Sequence, residues 1–298
     1  MRTIDFLAEY HGVQLLGNMR HLPVLEQCKF IAANSKRLEN AEPYWIFVAA
    51  LTALKNPKTC PVWEPVTAYA DLEPIAIDMD FDETVLETET YEKRFALLES
   101  MFNTFVQRPS LVQGGKVNNL EIYEDIADSL GYPVELVITL HALEWDSNMR
   151  FRPGAIEYIR TEVASGREIR IVSSSYVEIV VARLISQGQT VRWADDFQAY
   201  WVFPEGEVLI VGRNVDADWA KPHPHIHQTS IDFSEKPLLN HVAFEDSPSG
   251  TNGAKAAGIE TRIGVGTRED LDVCHRISDF VGFSPTNLDE IWRNNVQR

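Results

Sequence analysis

Residues 74–84 read Pro74-Ile75-Ala76-Ile77-Asp78-Met79-Asp80-Phe81-Asp82-Glu83-Thr84, a short apolar run that ends in acid. The run has the length and bulk of a buried strand, and it stops at an acidic turn. Two residues apart on an extended segment leaving a sheet, Asp80 and Asp82 can face one crevice. Open α/β sheets receive ligands at the carboxyl ends of their strands. Paired carboxylates there can divide labour, one as nucleophile or metal ligand and the other as acid and base. Taken alone, the same residues fit a solvated acidic turn.

Outward from this stretch, strand and helix patterns alternate. A helix is expected over Ala155–Ala164, then a turn at Gly166 and a strand over Glu168–Val172. Further strands are expected over Phe197–Val202, Val208–Val211, His241–Phe244 and Glu260–Val265. Such alternation implies a parallel sheet with helices on both faces. One long helical pattern interrupts it early: Phe95, Leu98, Phe102 and Phe105, then Ile122, Ile126 and Leu130, then Leu136, Leu140 and Leu143 recur at helical spacing. Residues before the strand also look mainly helical. Pro43 suits a first helical turn, and Trp45, Val48, Ala49, Leu51 and Ala53 fill one side of a short helix. Pro57, Pro61 and Pro65 mark a loop between that arm and the rest.

Three more stretches place chemistry at expected strand ends. Ser173 and Ser174 close Ile171-Val172-Ser173-Ser174-Ser175, where a hydroxyl can reach a phosphoryl oxygen or simply cap a helix. In Lys221-Pro222-His223-Pro224 the fixed φ of Pro222 suits the start of a helix, which would hold Lys221 just ahead of it. His241-Val242-Ala243-Phe244-Glu245-Asp246-Ser247-Pro248-Ser249-Gly250 is a strand running into two acids, a donor set suited to a hard cation such as Mg²⁺. His223, His225 and His227 alternate along the chain. Period-two residues diverge on a helix, so surface or packing roles are expected for them.

In order and together, these four stretches resemble the four motifs of the haloacid dehalogenase (HAD) superfamily. The nearest branch is the phosphatases and phosphomutases of the β-phosphoglucomutase and phosphoglycolate phosphatase group. Arg152-Pro153-Gly154 and Asn252-Gly253-Ala254-Lys255-Ala256-Ala257-Gly258 resemble the flanks of those motifs, and the likeness spans about residues 74–266. It implies a Rossmann-like three-layer α/β sandwich with a parallel central sheet, formed by residues 73–87 and 150–298. A helical cap over 88–149 follows the first strand, and 1–72 is a mainly helical N-terminal extension outside the resemblance. It implies a Mg²⁺-dependent phosphatase acting on a small phosphate monoester through an aspartyl phosphate on Asp80, with the cap setting specificity. Asp82 would be the acid and base, Lys221 the neutralising cation and Ser173 a phosphoryl holder. Thr84 and Ser174 would bind substrate. The metal would be held by Asp80, Asp82 through its main-chain carbonyl, Asp246 and Glu245. Two features depart from the family pattern: Glu83 stands where Gly is more usual, and Phe203–Gly212 is an extra hairpin with no assigned role.

The whole chain has 298 residues and a net charge of −17, which disfavours nucleic acid and anionic membranes as partners. An anionic substrate, a small phosphorylated metabolite, therefore needs a local positive site. Cys28, Cys60 and Cys274 lie far apart, which fits a reducing, cytoplasmic setting. The opening Met1-Arg2-Thr3-Ile4-Asp5-Phe6 lacks the pattern of a signal peptide, and no apolar stretch is long enough to span a bilayer. Two other readings stay open: a phosphomutase returning the phosphoryl group to a sugar, and a binding module that uses the N-terminal arm. Oligomeric state is not legible.

Overall fold

A computed structural model describes residues 61–87, 149–193, 199–213 and 220–296, with scattered positions between 96 and 131. The expected N-terminal helices and nearly all of the expected cap lie outside the described residues. The chain divides into two compact units, Met1–Pro57 with Thr88–Met149 and Lys58–Glu87 with Arg150–Arg298. The second unit carries the described fold.

Its strands and helices run in the order β1 (Ala76–Met79), β2 (Leu86–Glu87), β3 (Arg150–Phe151), α1 (Ala155–Ala164), β4 (Glu168–Tyr176) and α2 (Val177–Ser186). There follow β5 (Thr190–Trp193), β6 (Ala199–Phe203), β7 (Gly206–Arg213), α3 (His225–Asp232), β8 (His241–Glu245), α4 (Pro248–Ala256), β9 (Thr261–Val265), β10 (His275–Ile277) and α5 (Pro285–Val296). Eight strands form one sheet in the order β10-β9-β8-β1-β4-β7-β6-β5. Every pairing from β10 to β7 is parallel, whereas β7-β6 and β6-β5 are antiparallel. β2 and β3 form a separate antiparallel pair.

The sequence explains the layering. β1, β8 and β9 are buried at every residue, as strands covered on both faces must be, and their residues are accordingly mostly apolar. Neighbours on β8 point opposite ways: Ala243 packs with Ala254 and Ile259 under α4, while Phe244 meets Tyr158 of α1 and Phe280. On the side of α3, Val172 packs with Ile226. Helices thus cover both faces of a mostly parallel sheet, the three-layer arrangement expected.

Three differences from the expected elements have local causes. β4 runs on to Tyr176, four residues further, because a register shift after Val172 lets it stay beside β7. α3 starts at His225, after Pro224, so Pro222 lies in the turn ahead of the helix and not in its first turn. The extra hairpin is part of the sheet: β7 is the neighbour of β4, and Phe203 pairs with Gly206 across a two-residue turn.

The hairpin also receives the segment that leads into β1. Residues 61–74 are irregular and mostly exposed or half-buried, yet they are tied to the core at several points. The Trp63 ring meets Phe203 edge-on with centroids 5.7 Å apart, and the Arg160 guanidinium lies 4.8 Å from the Trp63 ring centre. Arg160 also donates to Glu64 O at 2.8 Å and pairs with Glu205 in the hairpin turn. Further along, Tyr69 N–H donates to Ser165 Oγ at 2.9 Å, and Arg167 Nε donates to Glu73 O at 3.1 Å.

Gly154 opens α1 with φ 75°, and a Cβ there would lie 2.6 Å from the main-chain carbon of Phe280. Both the backbone angle and the contact exclude a side chain. Gly154→Ala should cost about 2–4 kcal/mol, from the left-handed conformation plus overpacking against immobile backbone. Urea unfolding followed by circular dichroism would measure it, and a loss well under 1 kcal/mol would mean that the Phe280 segment moves freely.

Candidate active site

The site is assembled at the carboxyl ends of β1, β4 and β8 and in the turn before α3. Asp80 directly follows β1, and its N–H donates to Phe244 O at 3.0 Å, which locks it beside β8. The chain then folds into a tight turn. Val85 and Leu86 donate N–H groups to Phe81 O at 3.1 and 2.9 Å, and Glu83 donates to Leu86 O at 2.8 Å. Glu83 adopts φ 63°, the left-handed conformation that glycine takes most easily. Arg152 supports that turn by donating Nε to Thr84 O at 3.1 Å and Nη2 to Glu83 O.

Lys221 is the centre of the arrangement. Its Nζ donates to Asp80 Oδ1 at 2.7 Å and to Val172 O at 2.7 Å, and it lies 2.8 Å from Glu245 Oε1. Two acceptors and one ion-pair partner thus surround the ammonium group. Its side chain is only 4% exposed. Lys221 N–H in turn donates to Ser174 Oγ at 3.1 Å, so Ser174 holds the lysine backbone. Ser173 is buried and its Oγ accepts from Ser175 N–H at 3.0 Å. Thr84 is buried completely, and its hydroxyl has no hydrogen-bond partner among the described residues.

The acids separate into two kinds. Burial raises the pKa of Asp80 to about 7 against the pull of Lys221, with Glu245 and Asp82 adding repulsion. Burial likewise raises Asp246 to about 8, helped by the charges of Asp80 and Glu245. Burial pushes Glu245 the same way, but there Lys221 and His227 prevail and hold it below the usual carboxylate range. Burial opposes the charge of Lys221 too, yet Asp80 and Glu245 raise it well above an ordinary lysine.

Carboxylate oxygens of Asp80, Glu245 and Asp246 lie within 4.8 Å of one another. An all-oxygen cluster in which two of three acids have raised pKa values fits a hard dication. Within the cluster Glu245 is already engaged by Lys221 and His227, which leaves Asp80 and Asp246 as the less encumbered donors. Asp82 stands slightly apart. Its Oδ2 accepts from Ser175 Oγ–H at 2.9 Å and its Oδ1 pairs with Arg183 of α2.

The structure thus brings Asp80, Lys221, Glu245 and Asp246 together and sets Asp82, Ser173 and Ser174 around them. Two residues in contact with this set did not emerge from the sequence. Arg183 is one. The other is His227, assigned to surface or packing, which is buried with Nε2 3.1 Å from Glu245 Oε1 and Nδ1 3.5 Å from Asp78 Oδ2. Burial opposes its charge, but Asp78 and Glu245 hold its pKa above the ordinary value. The signal available was Asp78, an acid inside an apolar strand, which demands a buried partner. His223 and His225 do lie at or near the surface.

The sheet, parallel from β10 to β7 with helices on both faces, is a Rossmann-like α/β fold that carries acids and a lysine near its strand ends. Among solved structures, the chain is similar to a "putative beta-phosphoglucomutase" from Thermotoga maritima (TM-score 0.51, 17% identity, 74% of this chain and 99% of that one). It is also similar to β-phosphoglucomutase (pgmB) from Clostridium difficile (TM-score 0.50, 15% identity, 76% of this chain and 100% of that one). In sequence it is similar to "Putative phosphatase YhcW" from Bacillus subtilis, 25% identical over 197 residues, which cover 63% of this chain and 82% of that protein. No protein-family model matches the chain.

Two predictions follow from the crowding. Asp80 and Asp246 hold protons more tightly folded than unfolded, so their contribution to stability is present at low pH and is lost as pH rises through about 7 and about 8. His227, with its raised pKa, acts in the same direction. In metal-free protein the contribution of the two acids should fall from about pH 4, the ordinary carboxylate value, until it is gone near pH 8, and added Mg²⁺ should raise the melting temperature more at the upper end. A flat profile with no response to Mg²⁺ would contradict the crowding.

Gly250 supplies the second. It lies in the first turn of α4, where alanine would ordinarily favour the helix by about 1 kcal/mol. A Cβ there would fall 1.7 Å from Glu245 Oε2. Gly250→Ala should therefore destabilise by about 1–3 kcal/mol instead of stabilising, as read by thermal denaturation.

Proposed function

We propose that the chain is a Mg²⁺-dependent phosphatase that hydrolyses a small phosphate monoester through an aspartyl phosphate on Asp80. The observation that carries this reading is the buried ammonium of Lys221, 2.7 Å from Asp80 Oδ1, beside the acids Glu245 and Asp246. A carboxylate nucleophile and a phosphate repel each other, and a fixed cation beside the attacking group offsets that repulsion as charge spreads over the phosphoryl oxygens. The phosphatase named by its relative YhcW points the same way.

In this reading an oxygen of Asp80 attacks phosphorus, and the bond from phosphorus to the ester oxygen breaks. Asp82 delivers a proton to the departing alkoxide. It then takes one from a water molecule, which attacks the phosphoryl group, breaks its bond to Asp80 and releases inorganic phosphate. Asp82 is held by Arg183 and Ser175, so acid–base work at the substrate requires its carboxyl to leave Arg183. Asp80 and Asp246, with the main-chain carbonyl of Asp82, would hold Mg²⁺, and Glu245 flanks them. The bound ion would supply the positive charge that keeps both acids ionised and draws in the phosphate. Ser173 and the main-chain N–H groups after Asp80 would hold phosphoryl oxygens. The three cysteines, scattered along the sequence, fit a reducing cytoplasmic setting.

Phosphate release from p-nitrophenyl phosphate and a panel of small phosphate esters, with and without Mg²⁺, tests the reading. Asp80→Asn should lose at least about 10³-fold. Asp82→Asn should lose about 10²- to 10⁴-fold, the usual contribution of general acid–base catalysis. Unchanged release by Asp80→Asn would sink the proposal. Consumption of a sugar phosphate without net phosphate release would point to the phosphomutase reading, in which the group on Asp80 passes to a hydroxyl.

A further inference from the structure

Asp78 lies in β1 and Asp80, two residues on, directly follows it, so the two side chains leave the same side of the extended chain. Asp80 opens on the site, while Asp78 is buried completely, one layer deeper. A buried carboxylate in the middle of a sheet needs compensation, and α3 provides it. Ser230 Oγ–H donates to Asp78 Oδ1 at 2.6 Å, and His227 Nδ1 faces Asp78 Oδ2 at 3.5 Å. The other ring nitrogen of His227 faces Glu245 Oε1 at 3.1 Å, and that same oxygen lies 2.8 Å from Lys221 Nζ. Lys221 Nζ in turn donates to Asp80 Oδ1 at 2.7 Å. A continuous buried line therefore runs Asp78, His227, Glu245, Lys221, Asp80.

Glu245 has little freedom within it. Gly250 closes the other side of its carboxylate so tightly that not even a methyl group would fit. With its second oxygen walled in, the remaining oxygen is held between an imidazole and an ammonium. Lys221 is aimed by two hydrogen bonds and its ion pair with Glu245, and of these three partners Glu245 is the only one carried by a side chain other than the reacting acid itself.

We infer that His227 is a positioning residue, which, braced on Asp78, fixes Glu245 so that Lys221 presents its charge to Asp80. The inference rests on the proposed reading of Asp80 and Lys221. Three substitutions separate its contacts. Phe keeps the ring volume and removes both nitrogens; Gln places an amide near the position of Nε2, against Glu245; Asn places one near Nδ1, against Asp78.

The test is steady-state phosphate release by wild type, His227→Phe, His227→Gln and His227→Asn, with Lys221 Nζ observed by ¹⁵N NMR. The Nζ signal is identified by its absence from Lys221→Met. Expected are a fall in kcat of about 10- to 100-fold for Phe and Asn, as for other residues that orient reacting groups, a KM within about twofold of wild type, recovery by Gln, and a displaced Lys221 signal in Phe. A Phe variant with wild-type kcat and an unmoved Lys221 signal would overturn the inference, because ring volume alone would then suffice. Should Phe fail to fold, Gln and Asn carry the same comparison, and equal behaviour of the two would overturn it. If wild type releases no phosphate from any ester, the catalytic reading fails. The NMR signal then still decides whether His227 sets Lys221, an unmoved signal counting against it.

Discussion

The contact between Lys221 and Asp80 is the constraint around which the rest of this core is arranged. An ammonium buried to this degree survives only where acceptors surround it, since an uncompensated buried charge shifts its pKa and neutralises instead. Val172 O, Asp80 and Glu245 provide that surround, and each comes from a different strand or the residue just after it. β4, β1 and β8 must therefore bring these residues level with one another, which is what the parallel register delivers: Met79 stands beside Ile171 on one side and Phe244 on the other. The turn that holds Lys221 hangs on Ser174 at the end of β4. A fault in any of these placements would be felt by the lysine.

The same logic accounts for the turn after β1. The chain must leave the sheet at Asp80 yet bring Asp82 back beside it, which demands a tight turn and a left-handed residue. Glu83 fills that position although it carries a Cβ. The cost of such a conformation is about 1–2 kcal/mol, and Arg152 offsets it by holding the carbonyls of Glu83 and Thr84 from outside. Arg152 is thus tied to the first motif from sixty-nine positions away in sequence.

What could be read in advance followed from local pattern. The apolar runs of β1, β8 and β9, the helix after Gly154 and the acids at strand ends are all encoded within a few residues. Asp80, Lys221, Glu245 and Asp246 could be singled out because each ends or precedes an element with a clear pattern. Arg183 could not, since nothing local on α2 marks it as the partner of Asp82, 101 positions away. His227 was set aside by an argument from helical spacing that treated the three histidines as one group. The helix begins at His225, so the three do not share it, and only His227 turns inward. Spacing says which residues share a face but not what that face meets. The extension of β4 through three serines was hidden for a related reason: the polar run looks like a loop, and only the neighbouring β7 keeps it extended.

The placement of charge within the cluster carries a direction. At the deep end, Arg170 Nη1 lies 4.0 Å from Asp78, and despite burial the contacts of Asp78 with His227 and Ser230 and the charge of His241 bring its pKa below the ordinary value. Glu245, next along the line, is also held low. At the mouth, Asp80 shares its one close cation with Glu245, and both Asp80 and Asp246 rise toward neutrality. The cations are thus placed deep, and the deficit of positive charge falls where a ligand would enter. A phosphate alone would deepen that deficit, because it brings negative charge to acids that share the single charge of Lys221. A dication reverses the sign at that position, and the pair of dication and phosphate adds little net charge to a buried site. In a chain of net charge −17, long-range attraction cannot gather an anionic substrate, so a locally compensated mouth is the arrangement that lets one bind.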